Sequence, residues 1–256
     1  MPSTFQLTTV VTFLSYPLIF IGYHLVASSL PGKSGYAVLS SDEQAEWRSR
    51  VMSSVAATLM AVLAFPGVID GFFDCDAQCR TSDNSHLTTV ACGVMIGYLS
   101  FDIGVVLFYR MAPMGQTLAH HVMAVVMFSV VAVGGGPNFV TCWHLMGEAS
   151  TPLVNMRWFL SKTPGYGSGG PMMATGLSML VVFSLVRVAH LPWTLPLLWN
   201  DFAVMEEKFS RPSLRIGYRA LWLVAEFFIT CMNGFWLSLM VKGALKVLNK
   251  KPSKAS

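Results

Sequence analysis

Seven ionisable side chains stand inside long apolar runs of this sequence: Asp102, His120, His121, His144, Glu148, Arg187 and Glu226. Imidazole beside carboxylate is the pairing used in general-base and nucleophilic catalysis. A neutral ring nitrogen takes a proton or attacks a carbonyl, and a nearby acid orients the ring. Spacing groups these residues further. Tyr98 and Asp102 are four apart and share a helix face, as do His144 and Glu148, and Thr151 and Asn155 extend the second stripe. His120 and His121 are about 100° apart on a helix, so one faces the interior while the other meets a neighbouring helix. A plainer role is open to each of them: a buried imidazole satisfied in a core, or an acid neutralised by an arginine. The same histidines and acids are metal ligands by type, but no H-E-x-x-H motif supports a metal site. No G-x-S-x-G or G-x-x-x-x-G-K signature is present, so no motif points to serine-hydrolase or P-loop chemistry.

The elements that must position these groups follow from composition. The chain of 256 residues has 54% hydrophobic and 12% charged residues, with a mean hydropathy of +0.55. A soluble domain carries roughly 25% charged residues, so an all-α polytopic membrane protein is expected instead. A net charge of +4 offers no basic face for nucleic acid, and no soluble partner is implied. Seven apolar runs are long enough for transmembrane helices: 5–26 (interrupted by Pro17), 51–69, 87–109, 114–133, 139–160, 172–191 and 217–241. Gly134-Gly135-Gly136-Pro137 ends the fourth. The stretches 27–50 and 193–216 read as polar connections.

Depth follows from helical rise. Asp102 lies roughly 12 Å before Arg110, His120 roughly 9 Å into its run, and Glu148 roughly 14 Å before Arg157. Three helices thus bring acid and imidazole to one level, while Arg187 and Glu226 fall nearer the opposite half. Charges inside a bilayer cost several kcal/mol and face the bundle interior. Asp102, Glu148 and at least one of His120 and His121 are therefore expected to line one cavity. Arg187 is expected to pair with Glu226 or Glu148.

The first run lacks the basic start of a signal peptide and reads as a retained span. Lys33, Arg48, Arg50, Arg110, Arg157, Lys162 and the lysines from Lys242 to Lys254 follow the odd-numbered spans or lie in the tail. The positive-inside rule then puts the C-terminus in the cytosol and the N-terminus on the lumenal or exterior side, although Lys208–Arg219 runs against it. Cys75 and Cys79 share a polar loop on that outer side. They could form a disulfide there, and two cysteines alone make a weak zinc site. No N-x-S/T sequon is present.

Several of these residues fall in a familiar order. Gly97-Tyr98 followed by Asp102 resembles the G-Y-x-x-x-D segment of the TLC-domain family, and Thr117–His121 resembles its double-histidine motif. The run from Glu148 through Ser150-Thr151-Pro152, Asn155 and Arg157-Trp158-Phe159 is similar to the E-x-S-T-P-x-x-N-x-R-W-F run of the TLC domain-containing branch. Trp47, Arg50, Ser53, Arg187 and Asn233–Trp236 fit its other helices. The resemblance implies a TLC domain over 47–246, preceded by an N-terminal helix and loop (1–46) and followed by a basic tail (247–256). It also implies that spans 2–7 form a six-helix barrel around a lipid-accessible tunnel, with the first span packed outside.

Ceramide synthases, distant members of the family, use the double histidine in acyl transfer. By that resemblance His120 and His121 would be catalytic with Asp102 as orienter, and acyl-CoA would be co-substrate. Those enzymes also carry D-x-S-D-x-x-x-E where this chain has Glu148, Ser150, Thr151 and Asn155, so two of three acids are replaced. The expected function is lipid binding in membrane lipid homeostasis, without a cofactor. The alternative is transfer of an acyl group to a sphingoid base or related amine. Tyr98, His144, Glu148, Thr151, Asn155, Arg187 and Glu226 are the expected lining of the polar site. Membrane lipids are the expected partners, a homo-oligomer is possible, and the endoplasmic reticulum is the location implied by the family.

Overall fold

The computed structural model describes residues 3–29, 35–73, 75–81, 85–111 and 113–248. Lys33 and the basic tail with Lys250, Lys251 and Lys254 lie outside the described residues. The elements are α1 (Thr4–Ser29), α2 (Ser41–Phe73), α3 (Ala77–Thr81), α4 (His86–Tyr109), α5 (Met114–Gly134), α6 (Asn138–Gly147), a 3-10 turn (Glu148–Ser150), α7 (Thr151–Lys162), α8 (Gly170–Arg187), α9 (Leu191–Glu206) and α10 (Pro212–Leu248). No strand occurs among the described residues. Six stretches of them are long and apolar enough to cross a membrane: α1, α2, α4 together with α3, α5, α8 continuing into α9, and α10. The chain is an all-α polytopic membrane protein.

The expected span 139–160 is the one outside that set, because its helix breaks in the middle. Pro152 has no N–H to donate and its ring crowds the carbonyl of residue 148. The chain tightens into the 3-10 turn, where Ser150 Oγ donates to the Gly147 carbonyl at 2.9 Å. A helix restarts at Thr151 with its proline in the first turn, where the missing N–H costs nothing.

Two other expectations are corrected. Pro17 does not interrupt the first helix, which runs through it from Thr4 to Ser29. A proline in a membrane helix is tolerated when neighbours and side chains re-satisfy the freed carbonyls. The stretch 193–216 is not simply a polar connection, because its first half folds as α9. Pro192 is tolerated in the first turn of α9, Pro196 sits inside it, and Thr194, Leu198, Asp201, Phe202 and Met205 form its buried face.

α4 is the central element, packed against α1, α2, α5 and α6. Ser85 starts it by accepting from the Thr88 N–H at 3.2 Å, and Arg110 ends it in the left-handed conformation (φ 50°). Small residues explain how α1 approaches it. A Cβ at Gly97 would stand 2.6 Å from the Thr9 carbonyl oxygen, and one at Gly93 would stand 2.9 Å from Thr8 Cβ. This G-x-x-x-G spacing lets two backbones meet where lipid offers no hydrophobic drive to association. At the other end of α5, Gly135 takes a positive φ of 69° and turns the chain back into α6.

Polar clasps hold both ends of the bundle. At one end Lys162 reaches Glu43 at 2.6 Å, and Trp47 packs on Phe159 with ring centroids 4.6 Å apart. At the other, Cys75 and Cys79 are joined in a disulfide. Arg80 grips buried Asp201 of α9 with two hydrogen bonds, 2.9 and 2.7 Å, and also donates to the Cys75 carbonyl. Gly97→Leu would force α1 off α4. Overpacking of this kind costs about 1–3 kcal/mol, which reversible unfolding in detergent micelles would register. A variant as stable as the parent would show that α1 does not depend on this contact.

Candidate functional site

The break after α6 is where the polar groups meet. Because the helix tightens at Glu148–Ser150, Glu148, Ser150 and Thr151 all turn toward α8. Arg187, the last residue of α8, reaches them. Its Nη2 donates to Glu148 Oε1 at 3.0 Å and to Thr151 Oγ1 at 3.3 Å, and its Nε donates to Ser150 Oγ at 2.9 Å. Thr151 Oγ1 donates in turn to Glu148 Oε2 at 2.7 Å. Asn233 of α10 closes the group by donating to the Arg187 carbonyl at 3.3 Å. Of the two acids expected as its partner, Arg187 takes Glu148. The depth estimate separated them because it counted rise between Cα atoms, whereas the arginine stem spans the difference.

Two further pairs flank this bridge. His121 Nε2 lies 2.9 Å from Asp102 Oδ2, and Ser49 Oγ donates to Asp102 Oδ1 at 2.6 Å. His144 Nε2 lies 2.6 Å from Glu226 Oε1. His190 stands beside that second pair. It bonds Thr194 Oγ1 at 3.0 Å and stacks on Trp143 with centroids 4.9 Å apart. Among the described residues no group of three or more histidine, cysteine, aspartate and glutamate side chains is suited to hold a metal ion.

Two cavities meet at the Arg187–Glu148 bridge. One, of about 380 Å³, lies among α2, α4, α5, α7, α8 and α10 and reaches toward the C-terminal half of α10. Ser53, Tyr98, His121, Thr151, Trp236 and Met240 mark its walls. The other, of about 80 Å³, lies chiefly among α5, α6, α8 and α10 and reaches toward the N-terminal half of α10, where Trp222 and Glu226 face it. Met95, His120, Glu148 and Arg187 border both. Apolar side chains dominate both linings, and the polar groups concentrate at this shared waist. The larger volume is in the range of organic-ligand pockets, and its apolar walls suit a ligand with a large apolar part.

The expected site residues thus divide. Tyr98, His120, His121, His144, Glu148, Thr151, Arg187 and Glu226 line one cavity or the other. Of the adjacent histidines, His120 faces both cavities, with its ring 5.4 Å from that of Trp236, while His121 turns to α4. Asp102, expected at the cavity wall, lines neither of these two cavities. It is 4% exposed and stands behind His121, with both oxygens engaged. Asn155 also lies elsewhere. It accepts from Arg50 Nη1 at 3.1 Å and donates to the Arg50 carbonyl and Ser54 Oγ, both at 3.0 Å, so it ties α7 to α2.

Ser49, His190, Trp143 and Trp222 were not singled out from the sequence, and Ser150 entered only as part of the family run. Ser49 and Ser53 share a helix face by spacing, which was the available signal. The indoles gave none, since tryptophan in an apolar run is ordinary.

A helical membrane protein with a divided internal cavity and a polar waist is the class that this arrangement defines. Comparison with known sequences is more specific. A family model described as the TLC domain matches residues 46–242, and the chain belongs to that family. It is 27% identical to TLC domain-containing protein 4 of Xenopus tropicalis over 94% of each chain. It is 25% identical to TLC domain-containing protein 4 of Homo sapiens, covering 94% of this chain and 89% of that one. An uncharacterized TLC domain-containing protein of Saccharomyces cerevisiae is 29% identical over 68% of this chain and 54% of its own. No solved structure matches the chain.

Arg187→Met would leave the Glu148 carboxylate unpaired in the bundle, where such a loss costs about 3–5 kcal/mol. Adding Glu148→Gln should recover a large part of it. Unfolding in micelles of the two single variants and the double variant would measure the coupling, and additive effects would show that the pair carries no weight.

Proposed function

We propose that this protein takes a membrane lipid into its interior and acts in membrane lipid homeostasis. The observation that carries this reading is the pair of apolar-walled cavities meeting at the His120–Glu148–Arg187 waist. An acyl or isoprenoid chain fits the walls, and a polar group on it meets the waist. Seven crossings, with the broken α6–α7 segment as the fifth, and a six-helix barrel from α2 onward suit such a container. The endoplasmic reticulum is the proposed membrane, with the N-terminus lumenal and the C-terminus cytosolic. The disulfide fits an oxidising lumen on the α3 side.

A second reading, acyl transfer from acyl-CoA to a long-chain amine, draws support from one specific feature. Ser49, Asp102 and His121 form a hydrogen-bonded chain that fixes the imidazole beside His120 at the cavity wall. In that reaction the amine nitrogen bonds the thioester carbonyl carbon while an imidazole takes the amine proton. The carbon–sulfur bond then breaks and the proton passes to the departing thiolate.

Purified protein should carry co-purifying lipid detectable by mass spectrometry. Trp236→Ala, at the wall of the larger cavity, should change the chain lengths retained, and protein free of lipid after gentle solubilisation would sink the reading. Incubation with acyl-CoA and a sphingoid base separates the two readings. The homeostasis reading expects no amide product. Product that disappears in both His120→Ala and His121→Ala would establish the transferase reading instead.

A further inference from the structure

At the end of the bundle closed by the Lys162–Glu43 clasp, a cation is buried without a counter-charge. Arg48 of α2 is 7% exposed. Its Nε donates to the Gln44 carbonyl at 3.2 Å, and its guanidinium carbon stands 4.1 Å from the centre of the Phe20 ring of α1. Nη1 and Nη2 find no acceptor among the described residues. They are not sealed in either. Thr9 Oγ1, elsewhere on the α1 seam, lacks both a partner and access, whereas the terminal nitrogens of Arg48 keep an accessible surface.

The chain has no acid to spare for this arginine. No aspartate or glutamate precedes Asp42, so α1 and the loop behind it supply none. On α2, Glu43 is bound to Lys162 and Glu46 to Arg50. Asp42 is exposed at the start of that helix and forms no ion pair with Arg48 among the described residues. Asp102, the one acid of α4, is held by Ser49 and His121. A buried charge without a partner is costly. The free edge of a guanidinium matches the spacing of phosphate oxygens, which accept two parallel hydrogen bonds from it.

Position points to the source of the anion. Arg48 stands roughly 4.5 Å before Val51, where the apolar run of α2 begins. Aromatic residues with polar tips cluster around it. Trp47 Nε1 donates to Tyr23 Oη at 3.0 Å, the rings of Tyr36 and Trp47 are 6.1 Å apart, and Tyr109 lies 6.3 Å from the Phe20 ring. Tyrosine and tryptophan gather at the level of the lipid headgroups. Arg110, exposed and next to Tyr109, adds a second positive charge. A net-negative headgroup is favoured at such a place, while a zwitterionic one brings a cation of its own.

We propose that Arg48, in the seam of α1, α2 and the end of α4, binds the phosphate of a net-anionic phospholipid from the surrounding leaflet. Nη1 and Nη2 donate to the phosphate oxygens. The site lies outside both cavities and does not depend on the lipid-binding reading above.

Native mass spectrometry of the purified full chain tests it, with phosphatidylglycerol, phosphatidylcholine and diacylglycerol of the same acyl chains as probes. Phosphatidylglycerol should be retained about fivefold or more over the other two, the factor that one basic side chain at a membrane surface contributes. Arg48→Gln should abolish that preference, and Arg215→Gln, on the exposed start of α10, should leave it unchanged. Inorganic phosphate in about tenfold excess should not displace the lipid. A variant that fails to fold does not block the test, because phosphatidylglycerol with a photoreactive headgroup should label 20–24, 44–48 and 109–111 of the unaltered protein. Equal retention of the three lipids, a preference untouched by Arg48→Gln or lost equally in Arg215→Gln, displacement by inorganic phosphate, or headgroup labelling confined to other segments would each overturn the proposal.

Discussion

A charge inside a bilayer must be paired, and this requirement organises the bundle around one contact, Arg187 with Glu148. A guanidinium and a carboxylate sequestered from water repay their desolvation only when the geometry is good and the remaining donors and acceptors are filled. Here Ser150 takes the Nε donor, Thr151 shares Nη2 with Glu148 and serves the second carboxylate oxygen, and Asn233 accounts for the arginine carbonyl. The contact therefore fixes three elements relative to one another: the broken segment between α6 and α7, the end of α8, and the middle of α10. The helix break is part of the same arrangement. In an unbroken α-helix Glu148 and Thr151 would stand about 60° apart around the axis. The 3-10 turn ahead of Pro152 brings residues three apart into register and sets Thr151 over Glu148.

The flanking pairs repeat the principle across other interfaces. Asp102 and His121 join α4 to α5, while His144 and Glu226 join α6 to α10. Each of the three pairs spans two elements, so every buried acid in the waist region also closes a seam of the bundle. Between the seams the walls are apolar and leave space. Cavities persist here because the polar contacts set the spacing of the helices at the waist, and the side chains above and below are too few to fill what that spacing leaves.

Much of this was legible from residue types alone. Apolar runs of bilayer length revealed the spans, because a helix is the only open-ended structure that satisfies its own backbone in lipid. The cost of intramembrane charge marked which side chains must turn inward. What stayed hidden depended on distances between helices that no spacing rule supplies. Asp102 turned inward as expected, yet it stops at α2 and α5 because Ser49 and His121 satisfy it before it reaches open space. Asn155 follows Thr151 by four residues in the same helix α7, yet Arg50 and Ser54 of α2 take up its amide before it reaches a cavity. α9 was hidden by Pro192 and Pro196, which read as breakers, although the first of them sits where a helix accepts proline. Trp143 and Trp222 gave no signal, since only the packing of the helices brings them to the smaller cavity.

The replaced acids also take on a structural meaning. In the ceramide-synthase pattern that the sequence resembles, the positions of Thr151 and Asn155 are carboxylates. In this fold Thr151 Oγ1 stands 2.7 Å from one Glu148 oxygen and 3.3 Å from the arginine. A carboxylate there would set two like charges against a single guanidinium, and one of them would have to take up a proton. Asn155 both donates and accepts between Arg50 and Ser54, which a carboxylate could not do, since it only accepts. With threonine and asparagine each of the three acids has a partner of its own, Arg187 for Glu148, His121 for Asp102 and His144 for Glu226. His120 and His190 line the interior as further imidazoles without an acid bound to them. The acids are thus held apart, each on its own seam, and no run of neighbouring carboxylates joins them.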